Sequence, residues 1–179
     1  MKKFPFFRQL DAMDCGPSCL RMIAAWYGRK YSLQYLREHA YITRAGVSML
    51  GVSDAAESIG FRTGGYRMRW EQLREVPLPF IAHWNGNHFV VVYKIKERRN
   101  GDAWVHVADP AVGLLTYTKN DFLKFWYSTE KRGEPEGHLL VLEPTPDFYE
   151  REFNESNKFK IGYLINYLRP YRKYFIQLF

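Results

Sequence analysis

The sequence predicts an α+β domain in which N-terminal helices pack on an antiparallel sheet. Apolar residues recur at helical spacing mainly ahead of Gly60, and later apolar runs are mostly short and rich in β-branched and aromatic residues. Helices first and strands second indicate α+β rather than alternating βαβ units. The chain has 179 residues, 46% hydrophobic and 25% charged, enough to bury a core without disulfides or metals. That composition excludes wholesale disorder and collagen-like repeats.

The elements follow in order. Asp14 is placed to cap a helix beginning at Cys15, and Pro17 is tolerated in its first turn. Cys15, Cys19, Met22, Ile23 and Trp26 recur at helical spacing, and Gly28 is a fitting terminator. Residues 32–40, with Leu33 and Leu36, predict a second helix. Residues 48–59 predict a third, with Met49, Val52, Ala56 and Ile59 on one stripe and Gly60 at its end. Residues 79–83, 88–95, 103–108 and 138–142 read as strands, and 120–126 as one more helix. The domain is expected to span 1–145. An acidic linker follows at 146–157, then an amphipathic basic segment at 158–179 leading towards a first transmembrane helix.

Charge is unevenly spread. Twenty-six basic and nineteen acidic residues give +7, and residues 158–179 hold five bases and no acid. Most of the excess therefore belongs to the tail, which argues against a nucleic-acid partner for the domain. The start, Met1-Lys2-Lys3-Phe4-Pro5-Phe6-Phe7, opens like a signal peptide. Its apolar run breaks at Pro5 and ends at Arg8, leaving no apolar core to the signal. Two cysteines cannot build a disulfide framework, so an intracellular domain with reduced thiols is expected. No Gly-x-x-x-x-Gly-Lys-Ser/Thr loop occurs, so no ATP is hydrolysed through that motif.

The segment Gln9 to Cys19 carries the chemistry. A cysteine at a helix N-terminus feels the positive end of the helix dipole, which favours the nucleophilic thiolate. Gly16 leaves room for a substrate carbonyl, and Gln9 can turn its amide towards an oxyanion. Against this, Cys15 and Cys19 are also consistent with buried small hydrophobes. A thiolate needs a proton partner. His88 heads the run Phe89-Val90-Val91-Val92-Tyr93, and Asp109 ends the next strand, where a carboxylate can fix an imidazole tautomer. A two-residue turn at Asn100-Gly101 would place His88 opposite Gly113, leaving Asp109 roughly 13 Å along the strand. Pairing His88 directly with Asp109 needs a looser connection centred near Arg98-Arg99, and that register is the one expected. His83 is the rival base, or else lines the groove. His39, His106 and His138 take surface or strand positions. No third ligand stands near His83 and His88, so no metal is expected.

Gln9, Asp14-Cys15-Gly16-Pro17, His88-Phe89-Val90-Val91 and Asp109-Pro110, in that order, resemble the peptidase domain of bacteriocin- and peptide-exporting ABC transporters. The likeness runs over about residues 4–143. It implies a papain-like fold and a cysteine endopeptidase that removes double-glycine leaders. It further implies Cys15 as nucleophile, His88 as base and then acid, and Asp109 as the orienting carboxylate. Gln9, with the Cys15 backbone amide, would receive the oxyanion. A narrow passage beside the nucleophile would admit only small residues. The leader's amphipathic helix would dock in an apolar groove, for which Met49, Val52, Ala56 and Tyr66 are candidates. The resemblance implies no cofactor in this chain, ATP and Mg belonging to a nucleotide-binding domain outside it. The implied partners are the precursor peptide and the membrane parts of a homodimeric parent, with this domain at the inner face of a bacterial membrane. A catalytically silent leader-docking domain of the same fold is the alternative.

Overall fold

The computed structural model describes residues 3–43, 46–98, 101–131 and 134–150. A 3-10 turn, Ala12–Asp14, runs straight into α1 (Cys15–Trp26), followed by α2 (Leu33–His39) and α3 (Met49–Ser58). Ser32 and Ser48 cap α2 and α3, their hydroxyls accepting the N–H groups of Tyr35 and Gly51. The expected cap of α1 is not found. Asp14 precedes the helix but makes no side-chain cap, because its carboxylate is taken up elsewhere.

The remaining elements are β1 (Phe61–Met68), α4 (Trp70–Leu73), β2 (Phe80–Trp84), β3 (His88–Glu97) and β4 (Ala103–Asp109). After them come β5 (Gly113–Thr118), α5 (Lys119–Trp126), β6 (Tyr127–Lys131), β7 (Glu134–Pro144) and α6 (Pro146–Glu150). The strands pair antiparallel in the order β1-β7-β2-β3-β4-β5, and β6 adds to β7. The α+β expectation holds.

Successive residues of the central strands point to two cores. Ile81, Phe89, Val91, Leu140 and Leu142 face the apolar sides of α1, α2 and α3. Phe80, Ala82, Val90, Val92, Leu139 and Val141 face Trp70, Phe122 and Trp126 from α4 and α5. Because both faces are covered, these strands read as continuous apolar runs rather than as alternation. β1, β5 and β6 have weaker signals. β1 contains Gly64 and Gly65, residues depleted in strands, and it forms only because β7 pairs along its whole length.

The β3–β4 register differs from both registers weighed above. Arg98 donates its N–H to Asp102 O at 2.8 Å, and Gly101, at φ 78°, donates to Arg98 O at 3.2 Å. Lys94 to Glu97 then pair with His106 to Ala103. A bulge at Tyr93 shifts the ladder by one residue, so that Val92 faces Val107 and Val91 faces Ala108. Continued past its last pair, that ladder sets Asp109 opposite Val90, two residues from His88. Neither the Asn100-Gly101 two-residue turn nor the direct His88–Asp109 pairing occurs.

The linker expected from residue 146 begins as ordered structure. Thr145 donates both its N–H and its hydroxyl to Gly60 O, and Phe148 of α6 is fully buried. Its ring lies 4.4 Å from that of Phe61. Gly60, at φ 93°, is required there: a Cβ would sit 2.5 Å from Phe148 N. The domain therefore extends at least through α6. Residues 151–179, where the rest of the linker and the membrane-directed segment are expected, lie outside the described residues. Among the described residues no helix is long and apolar enough to cross a membrane. Phe148→Ala should lower stability by about 3 kcal/mol in urea unfolding of the full chain, a loss that a detached linker residue would not cause.

Candidate active site

The site lies where α1 begins, β3 begins and β4 ends. The chain enters it along residues 4–14. Phe4 is buried, its ring 4.5 Å from that of Tyr93 at the bulge and 5.4 Å from that of Trp26. Gln9 donates its N–H to Pro110 O at 2.9 Å, and Arg8 reaches Ala111 O. These contacts lay the segment beside the loop that follows Asp109. Asp11 then opens the 3-10 turn, accepting the N–H of Met13, while Asp14 reaches back to the N–H of Asp11 at 2.9 Å.

Cys15, the first residue of α1, is 5% exposed. The His88 imidazole hydrogen-bonds Asp109 Oδ1 through Nε2 at 2.8 Å, and the Cys15 thiol is close enough to the same imidazole to help raise its pKa. Asp109 Oδ1 also accepts the N–H of Ala111 at 2.9 Å. Cys15, His88 and Asp109 are thus brought together in a line. The order of groups suits a thiol that gives its proton to an imidazole which a carboxylate holds and stabilises as imidazolium.

Electrostatics point the same way. Burial alone would lower the His88 pKa, but its hydrogen bond to Asp109 and the Cys15 thiol beside it outweigh burial and raise it from 6.5 to about 9. Burial would raise Asp109, yet the hydrogen bonds from His88 and the Ala111 N–H hold it below its ordinary 3.8. The second thiol is inert. Cys19 is fully buried and donates to Phe89 O at 3.3 Å, and burial pushes its pKa well above 9.0.

Gln9 stands within this neighbourhood by its backbone, and its Oε1 is buried without a hydrogen-bond partner among the described residues. Gly16 has a packing role that the sequence reading did not include. A Cβ there would lie 2.5 Å from Val52 Cγ2 and 2.6 Å from Val47 Cγ1, so the glycine lets α1 close on α3 and the strand-like segment before it. Val52 is accordingly core, at 1% exposure, and Ala56 is fully buried. Met49 is half-buried and approaches Gly65 on β1, while Tyr66 is exposed and folds over Gly64. Met49 lies on the α3-facing side of β1, whereas Tyr66, one residue after Gly65, points to the opposite side, so the two do not share a surface, and Val52 is turned into the core. His83 sits opposite Phe89, its ring 5.3 Å from that of Phe89 and 6.3 Å from that of His138. Burial lowers its pKa, with His138 adding to the effect. Among the described residues no group of three His, Cys, Asp or Glu side chains is arranged to hold a metal.

Sequence reading missed Arg37. It projects from α2 and ion-pairs with the buried Asp14 carboxylate through two hydrogen bonds, that from Nε to Oδ1 being 2.6 Å. Arg37 is 23 residues from Asp14, and no local pattern announces the contact.

The His88 shift makes stability depend on pH. A histidine whose folded pKa is raised stabilises the fold fully below 6.5 and loses that contribution as pH rises through about 9. Asp109, held low, contributes above 3.8 and loses its contribution as pH falls through its folded value. NMR titration should find the His88 imidazole titrating near pH 9, and Asp109→Asn should move that transition to lower pH.

Comparison with known proteins bears on this geometry. The Peptidase C39 family model matches residues 3–130. The lactococcin-G-processing and transport ATP-binding protein LagD of Lactococcus lactis subsp. lactis is 36% identical over 133 residues, 70% of this chain and 18% of that protein. The transport/processing ATP-binding protein ComA of Streptococcus pneumoniae is 33% identical over 144 residues, 78% of this chain and 19% of that protein. The chain thus spans about a fifth of the length of these curated relatives. A solved double glycine motif protease from an AMS/PCAT transporter, in complex with the leader peptide, superposes with a TM-score of 0.69 at 31% identity. It covers 80% of this chain and 93% of that one. The peptidase domain of Streptococcus ComA, a bi-functional ABC transporter, gives 0.64 at 28% identity, covering 80% of this chain and all of that one. Since the matched span takes in well over half of the residues, the chain belongs to the peptidase C39 family of cysteine peptidases.

Proposed function

We propose that this chain cuts precursor peptides after a double-glycine leader, with Cys15, His88, Asp109 and Gln9 as its catalytic groups. The observation that carries the reading is the meeting of Cys15, at the start of α1, with an imidazole that Asp109 holds by a 2.8 Å hydrogen bond. Proton transfer from Cys15 to His88 leaves a thiolate beside an imidazolium. The thiolate attacks the carbonyl carbon of the last leader residue, and the carbonyl π electrons move to oxygen. That oxyanion receives hydrogen bonds from the Cys15 backbone N–H and the Gln9 side-chain NH2, the Gln9 backbone being held beside the Asp109 loop by its bond to Pro110 O. His88 returns its proton to the departing amine as the C–N bond breaks, leaving a thioester. A water then loses a proton to His88 and adds to the thioester carbonyl, and the C–S bond breaks to free the leader acid and restore Cys15.

A preference for glycine follows from access. Cys15 is 5% exposed, so a bulky side chain at the cut could not bring its carbonyl to the sulfur. In this reading the leader helix lies against α3, with Met49 among its contacts. The chain is the cytoplasmic peptidase part of a homodimeric exporter, facing the inner side of a bacterial membrane, and ATP and Mg serve a nucleotide-binding part elsewhere in that protein. Relatives named as transport ATP-binding proteins support this context.

Incubation with a double-glycine precursor should release leader and cargo as two free peptides by mass spectrometry. Cys15→Ala should abolish release and Cys19→Ala should retain it, an outcome that excludes a silent docking domain. Gln9→Ala should lower kcat by roughly 100- to 1,000-fold with little change in KM. Failure of the wild type to cut any such precursor would overturn the reading.

A further inference from the structure

Asp14 stands directly before the proposed nucleophile, and its carboxylate is 1% exposed. A lone carboxylate there would oppose a thiolate at Cys15 and would leave a buried charge unpaired. Arg37 meets it from α2 with two hydrogen bonds, one from Nε to Oδ1 and one from the terminal nitrogen to Oδ2. Asp14 Oδ2 also accepts the Asp11 N–H, so the carboxylate joins α2 to the turn that delivers the chain into α1. None of these contacts is made by the line of three groups described above, and none touches where substrate would react.

We propose that Arg37 and Asp14 are a positioning pair that sets the charge balance at Cys15: the guanidinium cancels the carboxylate beside the nucleophile and locks the turn before it. The proposal rests on Cys15 being the nucleophile. The charged and titratable groups around the thiol can be named element by element. The 3-10 turn supplies Asp14, preceded by Asp11, and α2 supplies Arg37, which interacts with both acids. The start of β3 supplies His88 and the end of β4 Asp109. α1 itself adds only the buried Cys19 thiol, and α3 meets the first turn of α1 with Val52. Of these, Asp14 and Arg37 are the ion pair that stands outside the His88–Asp109 pair. Removing either one should therefore shift the thiolate balance, and in opposite directions.

The test is the pH dependence of Cys15 alkylation by iodoacetamide, with the modified residue identified by mass spectrometry. Asp14→Asn leaves the cation unopposed, and the alkylation midpoint should fall. Arg37→Gln leaves the carboxylate unopposed, and the midpoint should rise. Each shift is expected to be about one pH unit, roughly tenfold in thiolate fraction at a fixed pH below the midpoint. The double variant should return to the wild-type midpoint, and Arg37→Lys should keep it while reacting more slowly. Circular dichroism establishes folding first. Should Arg37→Gln not fold, Asp14→Asn against Arg37→Lys decides the matter. Single variants that leave the midpoint in place, or shift it the same way, would assign the pair a purely structural role and overturn the proposal. Alkylation needs no leader, so a wild type that alkylates at Cys15 yet cuts nothing refutes the peptidase reading and not the pair.

Discussion

Between the β3–β4 turn and the site, β3 carries one residue more than β4, and Tyr93 is that residue. Side chains alternate along a strand, so a one-residue change of register exchanges the two faces. Without the bulge, the turn's own register would set Asp109 opposite Val91 and put it on the face away from His88. With it, Asp109 falls opposite Val90 and shares a side with His88, and a 2.8 Å hydrogen bond forms between them. The extra residue is also put to use: the Tyr93 ring stacks on Phe4 and so anchors the segment that carries Gln9 towards the Asp109 loop.

The other half of the site hangs from helix packing. α1 approaches α3 closely because Gly16 has no Cβ to meet Val47 and Val52, and α2 holds the turn before α1 through Arg37 and Asp14. Gly16 therefore brings two helices together. The start of α1 is fixed from three sides, by the N-terminal segment, by α2 and by α3. A thiol that must meet an imidazole on another element requires that precision, since misplacement by about 1 Å is costly in rate.

Two cysteines one helical turn apart meet opposite fates. Cys19 lies wholly in the core with a backbone carbonyl as its partner, and burial suppresses its ionisation. Cys15 sits at the helix start against an imidazole already inclined to be charged, because Asp109 and the thiol outweigh the effect of burial on His88. Position relative to partners, rather than residue type, separates the thiol that meets an imidazole from the one held in the core.

Much was legible in the sequence: the α+β order, the limits of α1, α2 and α3, the strands around His88 and Asp109, and the identity of the groups brought together. Those rest on local periodicity, caps and the order of a few motifs, which one chain displays by itself. The register was not legible, because a bulge leaves no mark in a run as uniformly apolar as Phe89 to Val92. Nor was the continuation of the domain into α6, since Phe148 sits in an acidic stretch and its burial depends on Phe61, far away in the chain. The Arg37–Asp14 pair and the packing duty of Gly16 and Val52 were hidden for the same reason. The sequence by itself determined which residues carry charge, thiol and imidazole. Only the tertiary structure decided which of them meet, because contact between distant residues depends on register and packing that no local pattern encodes.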